Sequence, residues 1–331
     1  MSLAHPYLLF LGDAPDPLSA KVAQGIRDWR PDASVGQLRL PGCQADMKLP
    51  EMTVAEAKAA GAQTLVIGVA NRGGMISDSW QSVLIEAMEA GMDIAAGLHT
   101  LLREQPALVE AATRTGTKLH DVRLPDRKYP IGDGAKRKGK RLLAVGTDCS
   151  CGKMYTALAL EKAMHEKGMK ASFRATGQTG ILITGEGVPL DAVVADFMAG
   201  AVEVLTPEND DDHWDLIEGQ GSLFHPSYSG VTMALVHGGQ ADALVLCHEP
   251  TRTHMRGLPH YPSPKIDDLE PLVMPLAKVV NPDVRVIGAS INTAAMSEAE
   301  AEAYLKETED RLGMPCVDPY RQGAARLAEA L

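Results

Sequence analysis

The stretch Arg141-Leu142-Leu143-Ala144-Val145-Gly146-Thr147-Asp148-Cys149-Ser150-Cys151-Gly152-Lys153-Met154 decides the fold. Leu142 to Val145 reads as a buried strand, Gly146 and Gly152 bracket a loop of small residues, and Lys153 opens a helical pattern that runs to Lys167 and is closed by Gly168. Such a strand, loop and helix start aim backbone N–H groups and an ammonium at phosphate. The usual motif has four residues between its glycines and Ser or Thr after the Lys. Here five residues separate Gly146 from Gly152 and Met154 follows Lys153, so a magnesium-binding hydroxyl is missing from its expected place.

Downstream of this stretch, strands alternate with helices. Lys170 to Ala175 leads into the polar loop Thr176-Gly177-Gln178-Thr179-Gly180, and Trp214 to Ile217 ends at Glu218-Gly219-Gln220-Gly221. Ala243 to Cys247 ends at His248-Glu249-Pro250-Thr251-Arg252, Val284 to Ile291 ends at Asn292-Thr293, and Cys316-Val317 opens a last strand and helix. Val231 to His237, Leu272 to Val280 and Ser297 to Leu312 read as helices, the last capped by Ser297 and stopped by Gly313. Ala192 to Leu205 fits either type, with Asp196 inside an apolar stretch.

Upstream, Tyr7 to Gly12, Val35 to Leu40, Thr64 to Val69, the run from Ile94 and Leu119 to Leu124 read as strands. Between them, Ser19 to Arg30, Thr53 to Ala60, Asp78 to Ala90 and Pro106 to Thr115 read as helices. The pattern predicts an α/β protein. Its N-terminal domain is Rossmann-like, although without a G-x-G-x-x-G fingerprint, and its C-terminal domain is a doubly wound parallel sheet carrying the phosphate loop. The expected boundaries are 1–125, a linker at 126–140, and 141–331. From Pro125 to Arg141, Lys136, Arg137, Lys138, Lys140 and Arg141 read as a solvated basic linker run rather than a patch that steers anions.

The 331 residues are enough for two cores. A net charge of -11 disfavours nucleic acid and anionic lipid as partners and points to small-molecule work. No run approaches the roughly 20 apolar residues of a membrane span, and Met1 to Phe10 lacks a basic start and a cleavage site, so a cytoplasmic location is expected. Five scattered cysteines fit a reducing compartment. Cys149 and Cys151 read as small loop-fillers, and no His and Cys spacing supports a metal site.

Ligands of open parallel sheets bind outside the carboxyl ends of the strands. That rule gathers residues 146–153, 176–180, 218–229 and 248–261 on one edge, with Lys153, Gln178, Glu218, His225, His248, Arg252, Arg256, His260 and Tyr261 among them. Gly146, Thr147, Asp148, Cys149, Ser150, Cys151, Gly152, Lys153 and Met154 are the expected cofactor-binding residues. Glu218, His225 and His248 are candidates for acid–base chemistry. Arg72, Arg174, Gln178, Arg252 and Arg256 are candidates for holding substrate, since guanidinium groups clamp carboxylates and phosphates bidentately. Arg72 sits in Ala70-Asn71-Arg72-Gly73-Gly74, which reads equally as an anion nest or a tight turn.

Gly146 to Lys153, opening Gly-Thr-Asp, is similar to the five-spaced phosphate loop of dethiobiotin synthetase-type folds, and Glu218-Gly219-Gln220-Gly221 resembles their Glu-Gly strand end. Joined by 176–180, Asp191 to Phe197, His225-Pro226 and His248 to Arg252, these motifs resemble a bacterial family described as a domain of unknown function, with a D-glutamate N-acetyltransferase of D-amino-acid catabolism as its characterised member. The resemblance covers essentially the whole chain. It implies acetyl transfer from acetyl-CoA to the amine of D-glutamate by a fold unlike that of common acetyltransferases. A loop that keeps Lys153 but carries Met154 suits gripping coenzyme A phosphates without transferring them. The alternatives are an ATP- and magnesium-dependent ligase or kinase using Asp148 or Glu218 for the metal, and a non-catalytic nucleotide sensor. Apolar helices near the C-terminus suggest a homo-oligomer.

Overall fold

The structure, a computed structural model, describes residues 3–69, 75–125 and 127–331. The chain divides into two compact units, Met1–Asp126 with Gly177–Ala192, and Arg127–Thr176 with Val193–Leu331.

In the first unit, strands β1 (Tyr7–Gly12), β2 (Ser34–Arg39), β3 (Thr64–Ile67), β4 (Asp93–Ala96) and β5 (Leu119–Asp121) form a sheet in the order β2-β1-β3-β4-β5. Every neighbouring pair is parallel. Helices α1 (Lys21–Trp29), α2 (Val54–Ala59), α3 (Asp78–Glu89) and α4 (Pro106–Thr115) connect the strands. All six residues of β1 and all four of β3 are buried, which is why both read as unbroken apolar runs rather than alternating ones. This is the flavodoxin-like order, and the chain reverses its winding at β1 and β3. Gly12 there holds φ +51°, and the Trp80 ring lies 2.7 Å from where a Cβ would stand. Trp80 Nε1 donates to Asp13 at 2.8 Å, so an indole closes over the end of β1.

The second unit opens with β6 (Lys140–Gly146) and α5 (Lys153–Glu166), followed by β7 (Ala171–Arg174). The chain then leaves: α6 (Gln178–Thr184) belongs to the first unit. On its return come α7 (Ala195–Leu205), β8 (Trp214–Ile217), α8 (Ser229–Gly239) and β9 (Ala243–His248). The hairpin β10 (His254–Met255) and β11 (Leu258–Pro262), α9 (Leu269–Ala277), β12 (Arg285–Ile291), α10 (Glu298–Leu312), β13 (Cys316–Val317) and α11 (Ala325–Glu329) complete it. The sheet order is β13-β12-β9-β6-β8-β7, again with every pair parallel. β6, first in the chain, sits between β8 and β9, so the winding reverses at the strand that feeds the phosphate loop.

Several expectations change. In the polar loop expected at 176–180, Gln178 to Gly180 instead start α6, whose Ile181, Leu182 and Ile183 are buried. Glycines at 177 and 180 masked an apolar turn. Gly25 of α1 lacks a side chain where Ile183 Cδ1 and Thr179 Cγ2 approach to 3.2 Å, which lets α6 pack closely on α1. The segment Gly177–Ala192 therefore does not lie with the rest of 141–331. The ambiguous 192–205 region is helical, with Asp196 exposed in the first turn of α7, where the helix dipole favours an acid.

The basic linker is only partly solvated. Lys136, Lys138 and Lys140 are exposed. Arg141 is buried, and its guanidinium donates to the carbonyls of Arg137 and Lys138 at 3.1 and 2.8 Å. Arg137 donates to the carbonyls of Thr206 and Gly238 at 2.9 and 2.8 Å, which ties the incoming chain to the ends of α7 and α8.

Candidate phosphate-loop site

The loop leaves β6 at Gly146 and enters α5 at Lys153. Ser150 and Gly152 take positive φ, +54° and +112°, the left-handed turning from which anion-binding backbone nests are built. Lys153 is buried, and its Nζ donates to the Asp148 carbonyl at 2.7 Å. Its stem folds over Gly146, where Lys153 Cδ and Nζ both stand 3.2 Å from a notional Cβ. Gly219, after β8, comes closer still: a Cβ there would lie 1.7 Å from the Ala144 carbonyl oxygen and 2.8 Å from Lys153 Cδ. A glycine at each side of the lysine stem is thus a steric requirement.

Cys151 fills space beneath the loop, with its Sγ 2.5 Å from a notional Gly146 Cβ and 3.1 Å from the Asp148 carbonyl. Below it, burial pushes the Cys247 thiol up to about 12, and the nearby Cys151 adds to the rise. Burial also raises Cys149 above its ordinary value, against the pull of Lys153. Both shifts, at Cys149 and Cys247, favour the protonated thiol, as expected of packing residues.

Asp148 is the hub. Its Oδ1 accepts the Cys149 N–H at 2.7 Å, and its Oδ2 accepts Arg252 at 2.5 Å and the Arg256 N–H at 2.8 Å. Arg252 also donates to the Cys149 carbonyl at 2.8 Å and pairs with Glu249. An acid in an anion-binding loop would repel phosphate, and Arg252 cancels it at close range. Asp148, Cys149 and His225 bring donor atoms within 4.8 Å of one another. With both carboxylate oxygens already accepting hydrogen bonds, Asp148 serves as an anchor for the loop at 249–256.

His225 is buried between β8 and α8. Its Nδ1 accepts the Ser227 N–H at 3.2 Å and its Nε2 faces the Arg256 carbonyl at 3.3 Å, an arrangement that puts the proton on Nε2. His248 closes β9. Its Nδ1 lies 2.8 Å from the Thr147 hydroxyl, and burial lowers its pKa to about 4, so the ring is neutral near pH 7. Glu218 is buried at the end of β8, where its Oε2 accepts the Thr176 N–H at 2.8 Å. The Thr176 hydroxyl returns a bond to the Glu218 carbonyl at 2.7 Å, and Gln220 donates to the Thr176 carbonyl.

The structure thus brings Lys153, Asp148, Glu218, His225, His248, Arg252 and Arg256 to one sheet edge. Arg256 is exposed on the hairpin turn, a few residues from the exposed His260 and Tyr261. Met154 is half-buried in the first turn of α5. Two expected substrate clamps lie elsewhere. Arg174 points back along β7, its Nε donating to the buried Asp215 at 2.7 Å. Gln178 belongs to the first unit, packed against Gly97 and Arg123. Arg72 lies outside the described residues. Sequence reasoning misses Asp148 as hub, Thr147 as the partner of His248 and Tyr228 as the ring beside His225. An aspartate inside a loop meant for anions is itself the signal that an arginine must answer it.

A parallel sheet that winds outward from a phosphate loop, preceded by a second parallel sheet of flavodoxin-like order, defines a two-domain α/β protein with a P-loop domain. Residues 130–328 match the family model "Domain of unknown function (DUF1611_C) P-loop domain", and residues 38–125 match "Domain of unknown function (DUF1611_N) Rossmann-like domain". The chain belongs to the DUF1611 family. It is similar to a protein of Tritonibacter scottomollicae named D-glutamate N-acetyltransferase, with 68% identity over 326 residues and 98% of each chain. A protein of the same name from Pseudoalteromonas is 49% identical over 98% of this chain and 97% of its own. A crystal structure of a DUF1611 family protein from Anabaena variabilis superposes with a TM-score of 0.87 at 34% identity over 99% of both chains.

Proposed function

We propose that the protein is a D-glutamate N-acetyltransferase that takes its acetyl group from acetyl-CoA, with the loop at 146–153 gripping the coenzyme A pyrophosphate. The observation that carries this reading is full-length identity of 68% to a relative of that name. The site fits it. The loop supplies amides and a buried ammonium. The residue after Lys153 is Met154, and the hydroxyls of Thr147 and Thr156 are hydrogen-bonded to His248 and to the Gly152 carbonyl. The device grips phosphate without a serine or threonine placed to hold magnesium.

In the reaction the amine nitrogen attacks the thioester carbonyl, the bond to sulfur breaks, and coenzyme A leaves as the thiol. The amine must first lose a proton, so a base is needed. The pantetheine arm is about four peptide units long and spans roughly 13 Å when extended. A base beside the loop therefore meets the thioester only when the arm bends back along the sheet edge. His248 is bonded to the Thr147 hydroxyl of the loop and His225 to the Arg256 carbonyl of the hairpin, and Glu218 is a buried carboxylate at the end of β8, beside Thr176. We assign Glu218 as the base, His248 to holding the loop, His225 to holding the hairpin, and Arg256 and Arg252 to the cationic rim.

The test mixes purified protein with acetyl-CoA and D-glutamate and follows free thiol, with ATP consumption in the presence of magnesium measured in parallel. Thiol release that depends on D-glutamate supports the transferase, and ATP loss in its place overturns it. Glu218→Gln is expected to lower kcat at least a hundredfold. His225→Ala and His248→Ala are expected to act mainly by raising KM for acetyl-CoA. Near-normal kcat and KM in all three variants would remove this mechanism.

A further inference from the structure

Tyr228 is an aromatic ring with no part in the chemistry assigned to Glu218. It precedes α8, on the ligand edge of the second sheet, and is 54% exposed although it is a large apolar side chain. One face of its ring is covered: the His225 imidazole lies 4.6 Å away, centroid to centroid, at an interplanar angle of 33°. His225 is itself buried and bonded to Ser227 and Arg256. A ring atom of His225 lies within 4.8 Å of side-chain atoms of both Asp148 and Cys149 in the phosphate loop. The backbone under Tyr228 is also fixed. A Cβ at Gly221 would stand 2.2 Å from the Tyr228 carbonyl oxygen, so the chain at Tyr228 is pressed onto the turn after β8.

Tyr228 is therefore a rigid aromatic surface, backed on one face by a buried imidazole and held one residue's width from the loop that grips phosphates. An aromatic ring kept in this way at low conformational cost is suited to stacking on another flat ring. The ligand class that joins a flat ring to a pyrophosphate through one sugar is an adenine nucleotide, and His225, which backs Tyr228, lies within 4.8 Å of Asp148 and Cys149 in the loop. Tyr320 is also exposed, and its ring is paired with Tyr155 of α5, with centroids 6.1 Å apart and the planes tilted by 46°.

We propose that Tyr228, backed by His225, is the stacking platform for the adenine ring of coenzyme A. This rests on the reading that the loop at 146–153 holds the coenzyme A pyrophosphate. It also gives His225 a second role, since the ring bonded to the Arg256 carbonyl of the hairpin fixes the plane on which the base lies. The subsite sets affinity for the nucleotide end of the donor and takes no part in moving the acetyl group.

Calorimetric titration of the full-length protein tests it with three ligands: acetyl-CoA, adenosine 3′,5′-bisphosphate and 4′-phosphopantetheine, which keeps a phosphate and the arm but has no base. Tyr228→Ala is expected to weaken acetyl-CoA and the bisphosphate roughly tenfold, and Tyr228→Phe to change them less than about twofold. Phosphopantetheine is expected to bind the wild type and Tyr228→Ala alike. Acetyl-CoA binding unchanged in Tyr228→Ala would overturn the platform while leaving the transferase reading intact. Equal weakening of phosphopantetheine would overturn it too, because the loss would then belong to the loop. A wild type that binds none of the three ligands, at concentrations where it shows a normal folded spectrum, would overturn the underlying reading and the subsite with it.

Discussion

His248 shows how far one buried side chain can reach. It sits at the end of β9 with its Nδ1 on the Thr147 hydroxyl, and burial lowers its pKa from 6.5 to about 4. The unfolded chain takes up a proton near pH 6.5 and the folded one does not, so protonation favours unfolding. The stability that a neutral His248 provides is complete above about pH 6.5 and is lost as pH falls toward 4. Urea unfolding followed between pH 7 and 4.5 is expected to show His248→Gln losing about 2–3 kcal/mol less than the wild type over that window. Equal pH slopes would show that the ring titrates normally. The sequence marks His248 as a titratable group on the ligand edge but not the direction of its shift, because that depends on which side chains bury it. The same limit applies to Arg252: its type and position are legible, whereas its engagement with Asp148 arises only when the loops after β6 and β9 converge.

Among the elements, β6, β8 and α5 meet at Gly219. Adding a methyl there would drive it into the Ala144 carbonyl at 1.7 Å and the Lys153 stem at 2.8 Å, so the strand end or the lysine has to move. Gly219→Ala is expected to cost about 3 kcal/mol or more in urea unfolding and to weaken acetyl-CoA binding with it. Gly230, in the first turn of α8, has nothing within 4 Å of a notional Cβ, and Gly230→Ala should be neutral or stabilise by about 0.5 kcal/mol. A similar cost for both would refute the steric account. Most elements are legible from periodicity. Pro106 to Thr115 is α4 as expected, and Ser297 with Glu300 forms the capping box that starts α10. The failures are short and glycine-rich. α6 has seven residues with Gly180 inside, too few to show a helical period, and the β10–β11 hairpin lies in a segment rich in Pro, His and Arg.

For the whole molecule the decisive feature is the excursion of Gly177–Ala192 into the first unit. No local pattern signals it, since a helix of mixed composition after a strand reads as the ordinary continuation of the sheet it follows. A fragment spanning 130–328 would carry α6 without α1, on which Ile183 packs, leaving that side chain short of up to about 2 kcal/mol of burial. That fragment is expected to bind a hydrophobic dye and to aggregate on size exclusion. The same fragment with 177–192 replaced by an equally long Gly/Ser linker should run as a discrete species. Aggregation of both would mean that α6 is not the cause.

The excursion also sets a timetable for synthesis. The sheet of the first unit is complete once β5 has left the ribosome, at Asp121, yet α1 has no α6 to pack on until the chain has grown past Thr184. At the usual 5–20 residues per second that interval lasts roughly 3 to 13 seconds. During it, a finished sheet with an open helix face shares the exit tunnel's mouth with β6 and the loop that follows it. The nascent chain thus has two half-built cores in hand at once, and α6 is the segment whose emergence closes the first of them.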